Sequence, residues 1–246
     1  MWYAPLPFSV GLALWRAGVA EPLEVSVTRE VIETPSVEAR LLENDATIGY
    51  VRIRMFTERT AEETRRALRD LQSQGATRLI VDLRDNGGGL LDAAVDVASQ
   101  FLSSGVVLYE QRRDQPERAY PVKSGGLALD QPLTLLVNGG TASASEIVAG
   151  ALQDQRRAVL IGQKTFGKGS VQLVFDLSDQ SSLHVTVARW LTPDRHQIDR
   201  QGLQPDIEVA LTEEDRTAGR DGQLERAVAY LNEQTAISQQ PSRSEP

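Results

Sequence analysis

The sequence has no cysteine, only two histidines and only two methionines in 246 residues. Without cysteine there is no disulfide, no thiol nucleophile and no cysteine-ligated metal. The absence is compatible with a reducing cytoplasm and with an oxidising envelope, so it does not choose between them. Positive charge is also scarce: 26 Lys and Arg face 34 Asp and Glu, a formal net charge of −8. No run of Lys or Arg offsets the deficit, which argues against nucleic acid as a partner, because phosphate binding needs a positive face. Long apolar runs are missing too; none reaches the roughly 20 residues of a membrane-spanning helix. The opening MWYAPLPFSVGLALWRAGVA is apolar but reads poorly as a signal peptide. It lacks a basic start, carries two early prolines and holds Arg16 inside the apolar run. Val10 to Arg16 reads better as a strand.

What is present alternates strands and helices. Val10–Trp15 and Leu23–Thr28 suggest two strands about a turn at Ala17-Gly18, with Leu23, Val25 and Val27 on one face. After Pro35, Val37–Leu42 and Ile48–Met55 suggest a pair around Glu43-Asn44-Asp45. Thr60-Ala61-Glu62-Glu63 has the form of a capping box, and Ala67, Leu68 and Leu71 follow at helical spacing to a stop near Gly75. Leu79–Leu83, Leu133–Val137 and Ala158–Ile161 are short, largely apolar runs, the signature of strands buried on both faces of a parallel sheet. Helices are expected at Leu90–Leu102, with Leu91, Ala94, Val95, Ala98 and Phe101 inward, and at Ala142–Gln153. The order predicts an α/β domain with a mainly parallel sheet. Ser170–Leu177 and Ser182–Leu191 then predict an antiparallel hairpin. A short helix over Leu224–Leu231 and a disordered polar tail close the chain.

Three loops could carry chemistry, and each follows a buried strand, where sites form in parallel sheets. Ser143 falls at the first turn of a helix, beside unpaired amides and the positive end of the helix dipole. A nucleophile fits there, and so does a plain N-cap serine. Gly87-Gly88-Gly89 offers backbone amides with no side chain in the way; with the Ala144 amide it could form an oxyanion hole, or it could be a simple turn. A P-loop is excluded, because no Gly-Lys-Ser/Thr follows. A serine nucleophile needs a proton acceptor. His184 lies mid-strand and His196 in a polar stretch, neither near a triad-like acid, so both read as structural. A lysine can act if it is neutral; its ordinary pKa of about 10.4 falls on burial among apolar groups. Phe166, Val171 and Leu173 could supply such surroundings for Lys168. An exposed turn lysine is the other reading.

Taken together, SVEARLLENDATIGYVRI, LIVDLRDNGGGLLDAAVDVA, LTLLVNGGTASASEIVAGALQD, VLIGQKTFGKGSVQ, VARWLTPDRHQID and GLQPDIEVALTEED occur in one order over about residues 10 to 230. In that order they resemble the carboxy-terminal processing (tail-specific) proteases, the Ser/Lys peptidase family S41. The resemblance implies a ClpP/crotonase-like α/β protease core. It implies a nucleophile at Ser143 and a general base 25 residues on, at Lys168. Gln172 matches the glutamine that orients the lysine amine. Ala144 and one of Gly88 or Gly89 match the oxyanion donors. Glu146 matches a family position near the dyad without a role assigned to it. No cofactor and no metal are implied. The partners implied are protein or peptide substrates with exposed C-termini, with self-association left open, and the implied location is the bacterial envelope or periplasm.

The chain departs from the family at its start. Only about Val10 to Arg29 resembles the family's PDZ domain, as its last strands. The expectation is a truncated PDZ remnant over residues 1–34, a protease core over 35–213, and a terminal helix and tail over 214–246. The leading reading is a serine endopeptidase acting near the C-termini of unfolded or tagged proteins. A catalytically silent peptide-binding or scaffold protein on the same core is the second. A crotonase-like acyl-CoA enzyme is the third, and it leaves Ser143 and Lys168 without a joint role.

Overall fold

Apolar residues set the strands, and their spacing of two sets the faces. The computed structural model describes residues 8–30 and 34–238. Two compact units divide at Pro35 and Ser36. The first holds Ser9–Leu14 (β1) and Leu23–Thr28 (β2), paired antiparallel. Val10, Leu12 and Leu14 stand opposite Val27, Val25 and Leu23 on one face of this hairpin.

The second unit opens with Val37–Leu42 (β3), Asp45–Ile53 (β4), Thr60–Ser73 (α1), Arg78–Asp82 (β5) and Leu91–Ala98 (α2). Val106–Arg112 (β6), Arg118–Pro121 (β7), Leu133–Val137 (β8), Ala144–Asp154 (α3) and Val159–Gly162 (β9) follow. Ser170–Asp176 (β10), Ser182–Leu191 (β11), Ile207–Glu208 (β12), Glu213–Thr217 (α4) and Gly222–Ser238 (α5) complete it. The main sheet has six strands in the order β12-β9-β8-β5-β4-β3. All pairs are parallel except β3 with β4. Leu79, Val81, Leu135, Val137 and Leu160 pack with apolar residues of α1, α2 and α3. The residues between them, Ile80, Leu136 and Ile161, pack with Ala227 and Leu231 of α5. Cover on both faces is why these strands read as largely apolar runs, broken only by Asp82 and Thr134. Each fully buried Leu or Ile adds about 1.5–3 kcal/mol of apolar burial. No helix among the described residues is long and apolar enough to cross a membrane.

Several local expectations give way to tertiary partners. The Thr60–Glu63 capping box does not close. Thr60 Oγ1 accepts the Thr57 N–H at 2.8 Å, and Glu63 instead accepts the Ser36 N–H at 2.7 Å and its hydroxyl at 2.6 Å. Burial pushes the Glu63 pKa up, but these donors, with the Val37 N–H and Arg59, hold it below the usual carboxylate range. The helix expected over Leu90–Leu102 stops at Ala98. There Gln100 and Phe101 turn their N–H groups to Val97 and Ala98, tightening the chain while Phe101 stays buried. β6 and β7 were not legible, because charged residues crowd Tyr109–Arg113 and Pro121 ends the second strand. They join a second, antiparallel sheet in the order β10-β11-β6-β7, where the predicted hairpin sits at one end. α5 outruns the predicted Leu224–Leu231 at both ends. The polar tail from residue 239 lies outside the described residues.

Candidate active site

β9, β8 and β5 are neighbours in the main sheet, and the loops that leave their carboxyl ends meet. The loop after β8 ends at Ser143, the residue before α3. Its φ is 59° and its ψ −120°, and its exposure is 8%. A non-glycine residue held there is strained. A strained strand-to-helix turn of this kind presents the serine hydroxyl of α/β-hydrolases. Ala144 opens the helix, so its N–H has no acceptor within it.

Glu146 is the residue that joins the loops. Its side chain is fully buried. One carboxylate oxygen, Oε2, accepts the backbone N–H of Ser143 at 2.8 Å and that of Lys168 at 2.8 Å. The two backbone nitrogens therefore lie within twice that distance of each other. The second oxygen, Oε1, accepts the Gly167 N–H at 2.7 Å and the Thr165 hydroxyl at 2.5 Å. Ionised carboxylates take such bonds more strongly than neutral acceptors do. Phe166 adds a bond from its N–H to the Thr141 carbonyl at 3.0 Å. Thr165 Oγ1 also accepts the Leu203 N–H at 2.7 Å.

The glycine loop is stitched to the serine loop. Ala142 N–H and Ser145 Oγ both donate to the Asn86 carbonyl, at 3.0 and 2.9 Å. Thr141 Oγ1 donates to the Leu83 carbonyl at 2.8 Å. Asn86 Nδ2 donates to the Ile53 carbonyl at 2.8 Å, and its Oδ1 accepts the Gly88 N–H at 2.9 Å. The two candidate glycines face different neighbours. A Cβ on Gly88 would stand 2.7 Å from Ser143 Cβ and 3.0 Å from the Ala144 nitrogen; one on Gly89 would stand 2.1 Å from the Phe56 carbonyl oxygen. Gly88 has a φ of +104°, which side chains resist. Gly88→Ala is expected to cost roughly 2–3 kcal/mol from strain and overlap together. It should displace Ser143, and a chemical melt alongside an activity assay would show both losses.

Behind this loop lies a buried ionic cluster. Arg84 donates to Asp82 at 2.7 Å and, as a fork, to both oxygens of Asp221 at 2.8 Å. Tyr50 donates its hydroxyl to Asp82 at 2.5 Å. Burial, then the negative Asp82, drives the Tyr50 phenol far above its ordinary value and keeps it a donor. Burial alone would raise Asp221, but its bonds from Arg84 and the backbone hold it below the usual range.

The lysine loop departs from expectation. Lys168 is exposed, and so are Phe166, at 67%, and Leu173, at 49%. The apolar enclosure expected around Lys168 is therefore not built by these neighbours, because β10 runs outward and nothing described covers it. Gln172 is also exposed, and its amide donates to Thr186 Oγ1 at 3.5 Å. The described side-chain bonds of His184 and His196 go to Ser182 and Asp154, not to Ser143. No cluster of three or more His, Asp or Glu among the described residues is arranged to hold a metal ion.

Residues 47–209 match the model of peptidase family S41. The chain belongs to that family. A Synechocystis carboxyl-terminal-processing protease is 40% identical over 243 residues, covering 97% of this chain and 57% of the relative. A chloroplastic carboxyl-terminal-processing peptidase of Arabidopsis thaliana is 40% identical over 189 residues, 74% of this chain and 37% of that one. The chain thus spans about half the length, or less, of these curated relatives. Among solved structures, a photosystem II D1 C-terminal processing protease superposes with a TM-score of 0.65 at 34% identity, over 82% of this chain and 56% of that one. A Bacteroides fragilis S41 protease superposes at 0.66 over 93% of this chain and 66% of that one, and at 20% identity it speaks for the fold alone. The S41 core is thus the α/β architecture that the motifs implied. Sequence reasoning left Glu146 without a role, although its place three residues after Ser143 is where a glutamate returns to an N-cap amide. The Tyr50–Asp82–Arg84–Asp221 cluster was missed, and only the paired charges in DLRD hinted at it.

Proposed function

We propose that this chain is the core of a serine endopeptidase that cleaves near the C-termini of unfolded or tagged proteins. The observation that carries the reading is the single Glu146 oxygen shared by the Ser143 and Lys168 backbones. It ties a strained, nearly buried serine to the one loop that offers a lysine at the family's spacing. In this reading Lys168 takes the proton from Ser143 Oγ as that oxygen attacks the peptide carbonyl. The oxyanion is held by the Ala144 N–H and by an amide of the glycine loop; the Gly88 N–H is already given to Asn86 Oδ1, which leaves that of Gly89. Lys168 returns the proton to the leaving amine. Water then attacks the acyl-enzyme and gives its proton to Lys168; the C–Oγ bond breaks, Lys168 passes that proton to Ser143 Oγ, and the acid product departs. Gln172 orients the lysine amine once substrate turns it from Thr186. No cofactor takes part.

The same reading assigns residues 1–34 to the end of a PDZ-like domain, 35–213 to the protease core and 214–246 to a terminal helix and tail. It places the protein in a bacterial envelope or periplasm. The relatives' names support the substrate class, and the family match supports the chemistry.

A serine-reactive fluorophosphonate followed by peptide mapping tests it. The adduct should sit on Ser143 alone, and the same preparation should cut unfolded casein into fragments visible by mass spectrometry. An adduct elsewhere, or none with casein intact, sinks the proposal.

A further inference from the structure

The hairpin of β10 and β11 carries an apolar face that nothing described covers. Leu173 stands opposite Val185, and Phe175 opposite Leu183, so all four share one face. Their exposures run from 38% to 52%. The other face is mixed, with Gln172 opposite Thr186, Val174 opposite His184 and Asp176 opposite Ser182. β10 is the end strand of its sheet and pairs only with β11 among the described strands. Its outer row of backbone N–H and C=O groups has no described strand partner. Proteins normally protect such an edge with charge, proline or cover, and β10 has one charged residue, Asp176, at its far end. Large exposed apolar patches usually mark a binding surface.

The position of this edge is what names its occupant. β10 begins at Ser170, two residues after Lys168, whose backbone is tied through Glu146 to Ser143. A polypeptide with one carbonyl at Ser143 therefore passes close to the start of β10. Strand addition to an open edge gives affinity through backbone hydrogen bonds and specificity through alternate side chains.

We propose that β10 is a docking rail: an extended, apolar segment of the substrate chain adds to its free edge and lays alternate side chains against Leu173, Phe175, Leu183 and Val185. This rests on the protease reading above. It also accounts for the open lysine loop. A docked segment would cover Leu173 and remove water beside the loop that carries Lys168. The base would then meet its working environment only when substrate is present.

The test separates docking from turnover by using Ser143→Ala, which binds without cutting. Fluorescence anisotropy would follow a labelled ten-residue peptide with leucine at alternate positions, its serine-substituted twin, and a copy N-methylated at every second residue. The leucine peptide should bind, and the other two should bind more weakly. Adding Phe175→Ser with Leu183→Ser, both already exposed, should weaken the leucine peptide by about tenfold, the loss expected from two half-covered apolar contacts. Val174→Thr, on the opposite face, should change nothing. Equal affinities across the hairpin variants overturn the rail. So does sedimentation showing a dimer that the double substitution splits while peptide affinity holds, since the face would then be a self-interface. Casein cleavage by the wild type, run alongside, keeps the two proposals apart. Cleavage with hairpin-independent peptide affinity sinks only the rail; hairpin-dependent peptide binding without cleavage sinks only the protease.

Discussion

Lys168→Ala should lower kcat/KM by about a thousandfold or more while leaving the fold almost untouched. The size follows from the role proposed for it: general acid–base groups contribute roughly a hundred- to ten-thousandfold. The small stability cost follows from the place. Lys168 is exposed, no described hydrogen bond or ion pair uses its amine, and its backbone N–H, not its side chain, meets Glu146. Exposed substitutions of that kind stay within about 0.5 kcal/mol. Ser143→Ala should be at least as inactive, because in the proposed mechanism it removes the attacking oxygen itself. The double variant should be little worse than either single one, since residues that act as a unit are far from additive. Progress curves on a labelled unfolded substrate, with calorimetric melts of the same samples, would check this. Half-maximal activity in Lys168→Ala would remove the dyad from consideration. A melt that collapses with the activity would make Lys168 structural instead.

Glu146→Ala should show the opposite coupling, losing activity and stability together. The carboxylate accepts four hydrogen bonds, from Ser143, Lys168, Gly167 and Thr165. Its removal leaves three backbone N–H groups and a hydroxyl in the interior without their acceptor, at about 1–3 kcal/mol for each group that water cannot reach. Relaxation will recover part of this, so a net loss on the order of 3–5 kcal/mol is expected. For a unit of this size that is roughly a 10 °C fall in Tm. Activity should fall further than stability explains, because the tie between the serine and lysine loops goes with it. Glu146→Gln separates the two effects. Its single carbonyl oxygen can serve one pair of donors, so it should recover much of the Tm but little of kcat. A glutamine variant with wild-type kcat would show that the shared oxygen does not hold the dyad.

How legible the molecule was depends on where each signal lies. β5 and β8 were readable because burial on both faces makes a strand apolar at consecutive positions, Leu79 to Val81 and Leu135 to Val137, and no neighbour can hide that. β6 was not, because only its first half enters the core: buried Val107 and Leu108 run on into exposed Gln111 and Arg112 in a charged stretch. The capping box at Thr60 was well formed as a local pattern, yet Ser36 took its glutamate, because a partner 27 residues away in sequence offered a better-placed donor. The site shows the same division. Ser143, Ala144 and the glycines could be found because the strand-loop-helix pattern says where amides lie open. Lys168 could be paired with Ser143 only by resemblance, since spacing along a chain carries no distance in space.

The sequence by itself determined the parallel α/β core, the places of its loops and the family motifs, because those follow from local periodicity and from residues read in order. The tertiary structure alone decided that Glu146 is the tie between two loops, that Gly88 rather than Gly89 lies against Ser143, that Lys168 stands open to water and that a strand with an exposed apolar face begins two residues beyond it. Each of these depends on which distant segments come together. Burial, shared acceptors and open edges are properties of the packed surface, and no stretch of sequence holds them alone.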